Sequence, residues 1–196
     1  INDAISLPAK NPFVPQQMQI TSVQSPAAAP QLISSGNGLQ LWHLQDGEFG
    51  LPKTNSFFSV RSPVAQTNVR NAALLEWYVQ VIRDDLNELA YPAQLAGLDF
   101  RIDSHARGFS VRIAGYDDKQ TVLLQAIIDS LHKRKFDAQR AIARRDDLVR
   151  RWRNADAEPP YQVLMRRMRQ ILYAPAFGEA ALADAISALN TADLET

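Results

Sequence analysis

One long helical pattern, placed between two sets of strand patterns, constrains the fold of this chain more than any other feature. Apolar residues from Val69 to Ala90 recur at spacings of three and four, as on the buried face of an amphipathic helix. At about 1.5 Å per residue such a helix is on the order of 30 Å long, enough to cross one face of a sheet. We expect Pro92 to kink or restart it, and Gly97 to end the following turn of helix.

Strand patterns stand on both sides of this helix. Leu39 to His43 alternates in polarity after a Ser-Ser-Gly-Asn-Gly turn, and a second short strand around Phe57 to Val60 is ended by Pro63. Beyond the helix, two alternating segments between residues 98 and 113 predict a β-hairpin that turns at residues 105–108.

Helical patterns fill the rest of the chain. The predicted helices run from Asp118 to about Lys133, from Asp137 to Arg153, from Pro160 to Tyr173 and from Glu179 to Leu189, and Thr191 resembles the start of one more. This order predicts an α+β fold, in which a mostly antiparallel sheet has helices packed on one face. A doubly wound parallel sheet is disfavoured because it needs repeated alternation of strands and helices.

Prolines set the first part of the chain apart. Five of them occur within the first 30 residues, so no helix can run through this region and the backbone is biased towards extended conformations. We therefore expect residues 1–33 to form an extended interdomain strap and residues 34–196 to form a single α+β domain. We interpret Ile1 and Thr196 as cuts in a longer protein, and expect the domain to be truncated at its C-terminal end.

Composition narrows the functional classes. Lys and Arg together number 21, as do Asp and Glu, so overall charge gives no reason to expect nucleic acid or a membrane surface as a partner. The apolar runs are far shorter than the ~20 residues that span a bilayer. The absence of cysteine excludes disulfides, thiolate metal ligands and a cysteine nucleophile.

A basic stretch between residues 133 and 169 is the exception to this balance. It holds 12 basic residues against five acidic ones, Asp137, Asp146, Asp147, Asp156 and Glu158. Three interpretations remain open: an ordinary charged helix face, which we favour, a surface that meets another domain or a substrate, and a nucleic-acid site. A stand-alone module that binds an anionic partner through residues 133–169 is therefore the alternative function.

The sequence disfavours catalysis and metal binding by this chain, and leaves a zinc site built from three distant histidines and an independent hydrolase with an unrecognised site as the weaker alternatives. The three histidines, His43, His105 and His132, are all more than five residues apart, which disfavours a zinc site. The pairs Asp84-Asp85 and Asp146-Asp147 are each adjacent on a helix and point about 100° apart, which favours a solvated helix face over acid-base or metal chemistry. No G-x-S-x-G elbow and no phosphate-binding glycine loop occurs. We assign no catalytic, cofactor-binding or metal-ligating residue, and substrate-binding residues stay unassigned.

Several longer motifs resemble the third domain of pitrilysin and insulinase type zinc peptidases. The matching segments are Leu7 to Pro15, Leu41-Trp42-His43, Leu51-Pro52-Lys53, Leu86-Asn87-Glu88, Leu95-Ala96-Gly97-Leu98 and Gly115 to Gln120. Together with matches at Tyr91, Ala93 and Gly108, the resemblance covers about residues 7–189.

The resemblance implies a clam-shaped enzyme of four similar α+β domains, of which the first carries an inverted H-x-x-E-H zinc site and the third carries no metal. The equivalent helix here reads Ala73-Leu74-Leu75-Glu76-Trp77, which keeps the glutamate and lacks both histidines. We expect Glu76 to be solvated or salt-bridged.

The function implied is that of a non-catalytic chamber-wall and scaffold domain. Its parent is expected to be a zinc metalloendopeptidase that degrades peptides, so the zinc belongs to the parent and this chain needs no cofactor. The expected partners are other domains of the same chain and the parent's peptide substrate. The resemblance implies a periplasmic location for a bacterial, pitrilysin-like protein and a cytoplasmic one otherwise.

Overall fold

The computed structural model describes residues 9–20 and 27–195. The strands are β1 (Gln31–Gly36), β2 (Leu39–His43), β3 (Lys53–Arg61), β4 (Leu98–His105) and β5 (Gly108–Tyr116). The helices are α1 (Val69–Asp85), α2 (Asn87–Leu95), α3 (Gln120–Leu131), α4 (Ala138–Arg153), α5 (Pro160–Leu172) and α6 (Glu179–Ser187), with short 3-10 helices at Ala155–Ala157 and Thr191–Leu194. The predicted α+β class is confirmed.

The strands form two separate antiparallel sheets. β1 and β2 make a two-stranded hairpin, whereas the larger sheet has the order β3-β5-β4. Helices α1 and α2 connect β3 to β4, and β5 returns between them in register with both. One face of this sheet is buried through Leu98, Ile102, Val111 and Ile113, each at most 3% exposed. The predicted β4–β5 hairpin is confirmed.

The sequence prediction missed β1. Its Ser34, Ser35 and Gly36 pair with β2 as a strand, and the turn is confined to Asn37 and Gly38. Both of these residues have positive φ, 50° and 78°, as a tight two-residue hairpin turn requires. β1 also crosses the expected boundary after residue 33.

The predicted helix from Val69 to Ala90 is wrong as one continuous element. α1 ends at Asp85 and α2 begins at Asn87, so the break falls at Leu86 and Pro92 lies inside α2. The restart allows Leu86 and Ala93, 1% and 0% exposed, to enter the same apolar core. The break therefore lies before Pro92 and not at it.

α1 is shared by two apolar cores. The main core lies between the sheet and helices α1 to α3, and includes Ile82, Ile102 and Leu123. A second cluster joins α1 to α4 and α6 through Trp77, Leu148 and other buried side chains. α1, the equivalent of the helix that carries the zinc motif in the family's first domain, is thus buried from two sides.

Residues 11–16 of the predicted strap lie against this domain. Phe13 is 2% exposed and belongs to the main core. The Asn11 side-chain amide donates to the carbonyl of Pro92 at 2.7 Å, and the main-chain N–H of Gln16 donates to Asp118 at 2.7 Å. Residues 1–8 and 21–26 of the strap lie outside the described residues. Across the described ranges, no helix combines the length and apolar character needed to cross a membrane.

Candidate functional site

The helix position that carries zinc ligands in the inverted motif is packed with apolar side chains here. Ala73 and Trp77 are both 0% exposed, and the Trp77 indole N–H donates to the carbonyl of Ala141 at 2.8 Å. These residues offer no metal ligand and leave no space for one, so they do not fit a zinc ion.

Glu76 differs from the expectation of a solvated or salt-bridged residue. Its carboxylate is partly buried and accepts a hydrogen bond from the Ser104 hydroxyl on β4. Within residues 9–20 and 27–195 it has no ion-pair partner. The glutamate retained from the motif spacing therefore connects α1 to the sheet.

The three histidines are placed in different parts of the domain. His43 ends β2, His132 follows α3, and His105 ends β4, where its Nδ1 accepts from the Arg107 main-chain N–H at 3.1 Å. Among the residues that the structure describes, no three His, Cys, Asp or Glu side chains are grouped to hold a metal ion.

The adjacent aspartates of α1 are neutralised by cations from α4 and from the loop that follows α3. Asp84 accepts from Arg140 at 2.7 Å, whereas Asp85 accepts from Lys133 at 2.7 Å and from the Ser130 hydroxyl at 2.6 Å. Burial raises the pKa of Asp85, but its hydrogen bonds to Lys133 and Ser130, together with the charges of Lys133 and Arg140, outweigh that effect and hold the pKa below the usual range. This pair is structural.

The basic stretch 133–169 is largely neutralised within the fold. Its ion-paired members are Lys133, Arg140, Arg144, Arg145, Arg150, Arg153, Arg166 and Arg167. These eight of the 12 basic residues already have carboxylate partners, so few charges remain for an external polyanion. The arrangement favours the ordinary charged face over a nucleic-acid site.

Arg166 is the most enclosed cation of the stretch. Its guanidinium lies 2.5 Å from Glu158 and 2.9 Å from Glu179, with 15% of its side chain exposed. It thereby holds α5 to the start of α6. α5 itself has no buried residue.

Large apolar side chains are exposed on several elements, among them α5 and the β1–β2 hairpin. On α5 the exposed side chains are Tyr161, Leu164, Met165, Met168, Ile171 and Leu172. On the β1–β2 hairpin they are Leu32, Ile33, Leu39, Leu41 and Trp42. Patches of this kind are typical of surfaces that another domain or protein covers.

A cleft of about 510 Å³ opens at the turn of the β4–β5 hairpin. Arg61, from the end of β3, and Arg107, from the hairpin turn, line it together with Gln66 and Thr67, which precede α1. The N–H of Ser62 donates to the carbonyl of Arg107 at 2.8 Å, which fixes the two segments side by side.

A glycine permits the hairpin turn to lie this close to the end of β3. Gly108 has a φ of +146°, and a Cβ at this position would lie 2.1 Å from the carbonyl oxygen of Val60. Sequence reasoning did not find the cleft, because 45 residues separate its two arginines and only the register of Arg61 opposite Gly108 brings them together. The available signal was an arginine directly before the glycine of a predicted hairpin.

Comparison with known proteins assigns this chain to a family. A family model described as the middle or third domain of peptidase M16 matches residues 1–185. Insulin-degrading enzymes of Bos taurus and Homo sapiens are each 32% identical over 187 residues, which are 95% of this chain and 18% of theirs. A putative zinc protease of Schizosaccharomyces pombe is 28% identical over 190 residues, 96% of this chain and 20% of that protein.

A solved structure shares the fold. The crystal structure of pitrilysin matches with a TM-score of 0.87 at 19% identity, covering 98% of this chain and 20% of that chain. The chain thus spans about a fifth of the length of the relatives it matches. As its motifs predict, the chain belongs to the peptidase M16 family, as a middle or third domain of the insulinase and pitrilysin type.

Proposed function

We propose that this chain is a non-catalytic chamber-wall and scaffold domain of a zinc metalloendopeptidase that degrades peptides. The observation that carries the proposal is the packing of α1, where Ala73 and Trp77 fill the positions that would hold zinc ligands. A catalytic zinc site needs three protein ligands and an open coordination position. In this proposal the zinc is bound by another domain of the parent polypeptide.

The scaffold role is supported by what the domain leaves exposed. The apolar side chains of α5 and of the β1–β2 hairpin are well suited to burial against other domains of the same chain. The relatives, about five times longer than this chain, have further polypeptide that can supply such domains. The second proposed partner is the peptide substrate of the parent enzyme.

Metal analysis and a cleavage assay test the proposal. The chain alone is expected to bind no stoichiometric zinc and to cleave no peptide, whereas the full polypeptide that contains it should do both and lose activity with a chelator. Glu76→Gln serves as the control in the full polypeptide. Because Glu76 contacts Ser104 rather than a metal, this variant should keep full activity. The proposal would be wrong if the chain alone bound stoichiometric zinc and cleaved peptide in a chelator-sensitive way.

From the resemblance to pitrilysin and insulinase type peptidases we also propose a location. It is periplasmic for a bacterial, pitrilysin-like parent and cytoplasmic otherwise. Fractionation of cells that express the full polypeptide, followed by detection of this domain in each fraction, tests it. Recovery from the membrane fraction would contradict both locations.

A further inference from the structure

The cleft at the hairpin turn brings together two cations that have no partner. Neither guanidinium, of Arg61 or of Arg107, forms an ion pair or a side-chain hydrogen bond with any residue in 9–20 or 27–195. Most arginines of the basic stretch, by contrast, have a carboxylate within 4.0 Å. The cleft is therefore a local excess of positive charge in a chain with no net charge.

Both arginines are exposed to solvent, and the fold holds their backbones side by side. The Ser62–Arg107 hydrogen bond and the β3–β5 register both hold the segments together. A carboxylate in the cleft can therefore accept hydrogen bonds from both guanidinium groups, and such charge-assisted bonds are stronger than neutral ones.

The remaining lining suits a small anionic group with a chain attached. Gln66 adds an amide, and the N-terminus of the 17-residue α1, capped by Asn68, adds the positive end of a helix dipole nearby. Guanidinium groups match the planar, two-oxygen geometry of a carboxylate. A volume of about 510 Å³ also accommodates the residues next to that carboxylate.

We propose that Arg61 and Arg107 form a binding subsite for a carboxylate of the peptide substrate, either its C-terminus or an acidic side chain. This rests on the proposed function in taking a peptide as the ligand. The subsite would bind and orient a peptide at this domain without contributing to its cleavage.

Binding titrations of the chain with short acetylated peptides test the proposal. One uncharged peptide has a free C-terminal carboxylate, a second is its amidated form, and a third is amidated but contains one aspartate. Inorganic phosphate is the fourth probe. We expect the first and third to bind, amidation of the first to weaken binding at least tenfold, and added salt to weaken it further because the contacts are ionic.

Variants identify the residues. Arg61→Gln and Arg107→Gln should each weaken binding of the carboxylate peptides about tenfold, since each removes one charge-assisted contact. Arg134→Gln is the matched control: Arg134 is exposed, has no ion pair among the described residues and does not line the cleft, so binding should be unchanged. Circular dichroism of each variant checks the fold.

Three results would overturn the proposal. They are equal binding of free and amidated peptides, binding of phosphate without binding of either carboxylate peptide, and unchanged affinity in both arginine variants. The amidation comparison uses unaltered protein, so it decides the matter even if a variant fails to fold. None of these results depends on zinc or on cleavage. The binding proposal and the proposed function can therefore fail separately.

Discussion

The indole nitrogen of Trp77 donates a 2.8 Å hydrogen bond to the main-chain carbonyl of Ala141 and so joins α1 to α4. Trp77 is 0% exposed, so Trp77→Ala removes a large buried side chain and leaves a cavity. We expect it to lower the free energy of unfolding by about 3–5 kcal/mol, as measured by urea denaturation. Trp42→Ala is the control, because Trp42 is 55% exposed and its loss should change stability by less than about 0.5 kcal/mol. Equal effects of the two substitutions would contradict this account of the second core.

Phe13 makes the described part of the N-terminal segment a component of the main core. It is 2% exposed, whereas its neighbour Val14 is 52% exposed. Phe13→Ala should therefore cost about 3–5 kcal/mol of stability and Val14→Ala close to none. Thermal denaturation followed by circular dichroism measures both. If Phe13→Ala left the melting temperature unchanged, residues 9–20 would not be packed on the domain in solution.

Gln120 connects the start of α3 to both β3 and β5. Its amide nitrogen donates to the carbonyls of Thr54 at 2.6 Å and Gly115 at 3.1 Å, and its amide oxygen accepts from the Ser56 hydroxyl at 3.0 Å. Gln120→Leu leaves these groups without their partner in a site that is 7% exposed.

We expect Gln120→Leu to lower the free energy of unfolding by about 1–3 kcal/mol in urea denaturation. Gln125→Leu is the matched control on the same helix, because Gln125 is exposed and its side chain bonds, among the described residues, only to Asp129. A loss in the control as large as that in Gln120→Leu would show that the contacts with the sheet do not determine the effect.

The parts of the fold that were predicted from the sequence depend on local patterns. The β4–β5 hairpin follows from strict alternation on both sides of a short polar turn, and α4 begins at Ala138 after its cap Asp137, as its pattern predicts. Long matched motifs also identified the family. The strand alternation, the helix cap and the family motifs can each be recognised from a few consecutive residues or from the order of motifs along the chain.

The parts that were missed depend on contacts distant in sequence. β1 ends in Ser34, Ser35 and Gly36, which favour turns, and only pairing with β2 makes them part of a strand. The helix breaks at Leu86, which is buried in the main core, and continues through Pro92. The Arg61–Arg107 cleft exists only because β3 and β5 are in register, a relationship that the separate segments do not specify.

Asp85 couples stability to acid pH through its contacts with α3 and the loop that follows it. Burial raises its pKa, but hydrogen bonds to Lys133 and Ser130 and the charges of Lys133 and Arg140 together lower the pKa from 3.8. A carboxyl group with a lower pKa in the folded state contributes stability that is fully present above its unfolded pKa. That contribution is lost as the pH falls through the folded value.

We therefore expect the melting temperature of the unaltered chain to fall as the pH drops below about 4, and Asp85→Asn to reduce the steepness of that fall because an amide does not titrate there. Part of the fall should remain, because the Gln16 N–H, which outweighs desolvation, also lowers the pKa of Asp118. Thermal denaturation from pH 3 to 7 measures it, with the exposed Asp99→Asn as control. An unaltered pH dependence in Asp85→Asn, or an equal change in Asp99→Asn, would show that the Asp85–Lys133 contact does not link α1 to the end of α3 in solution.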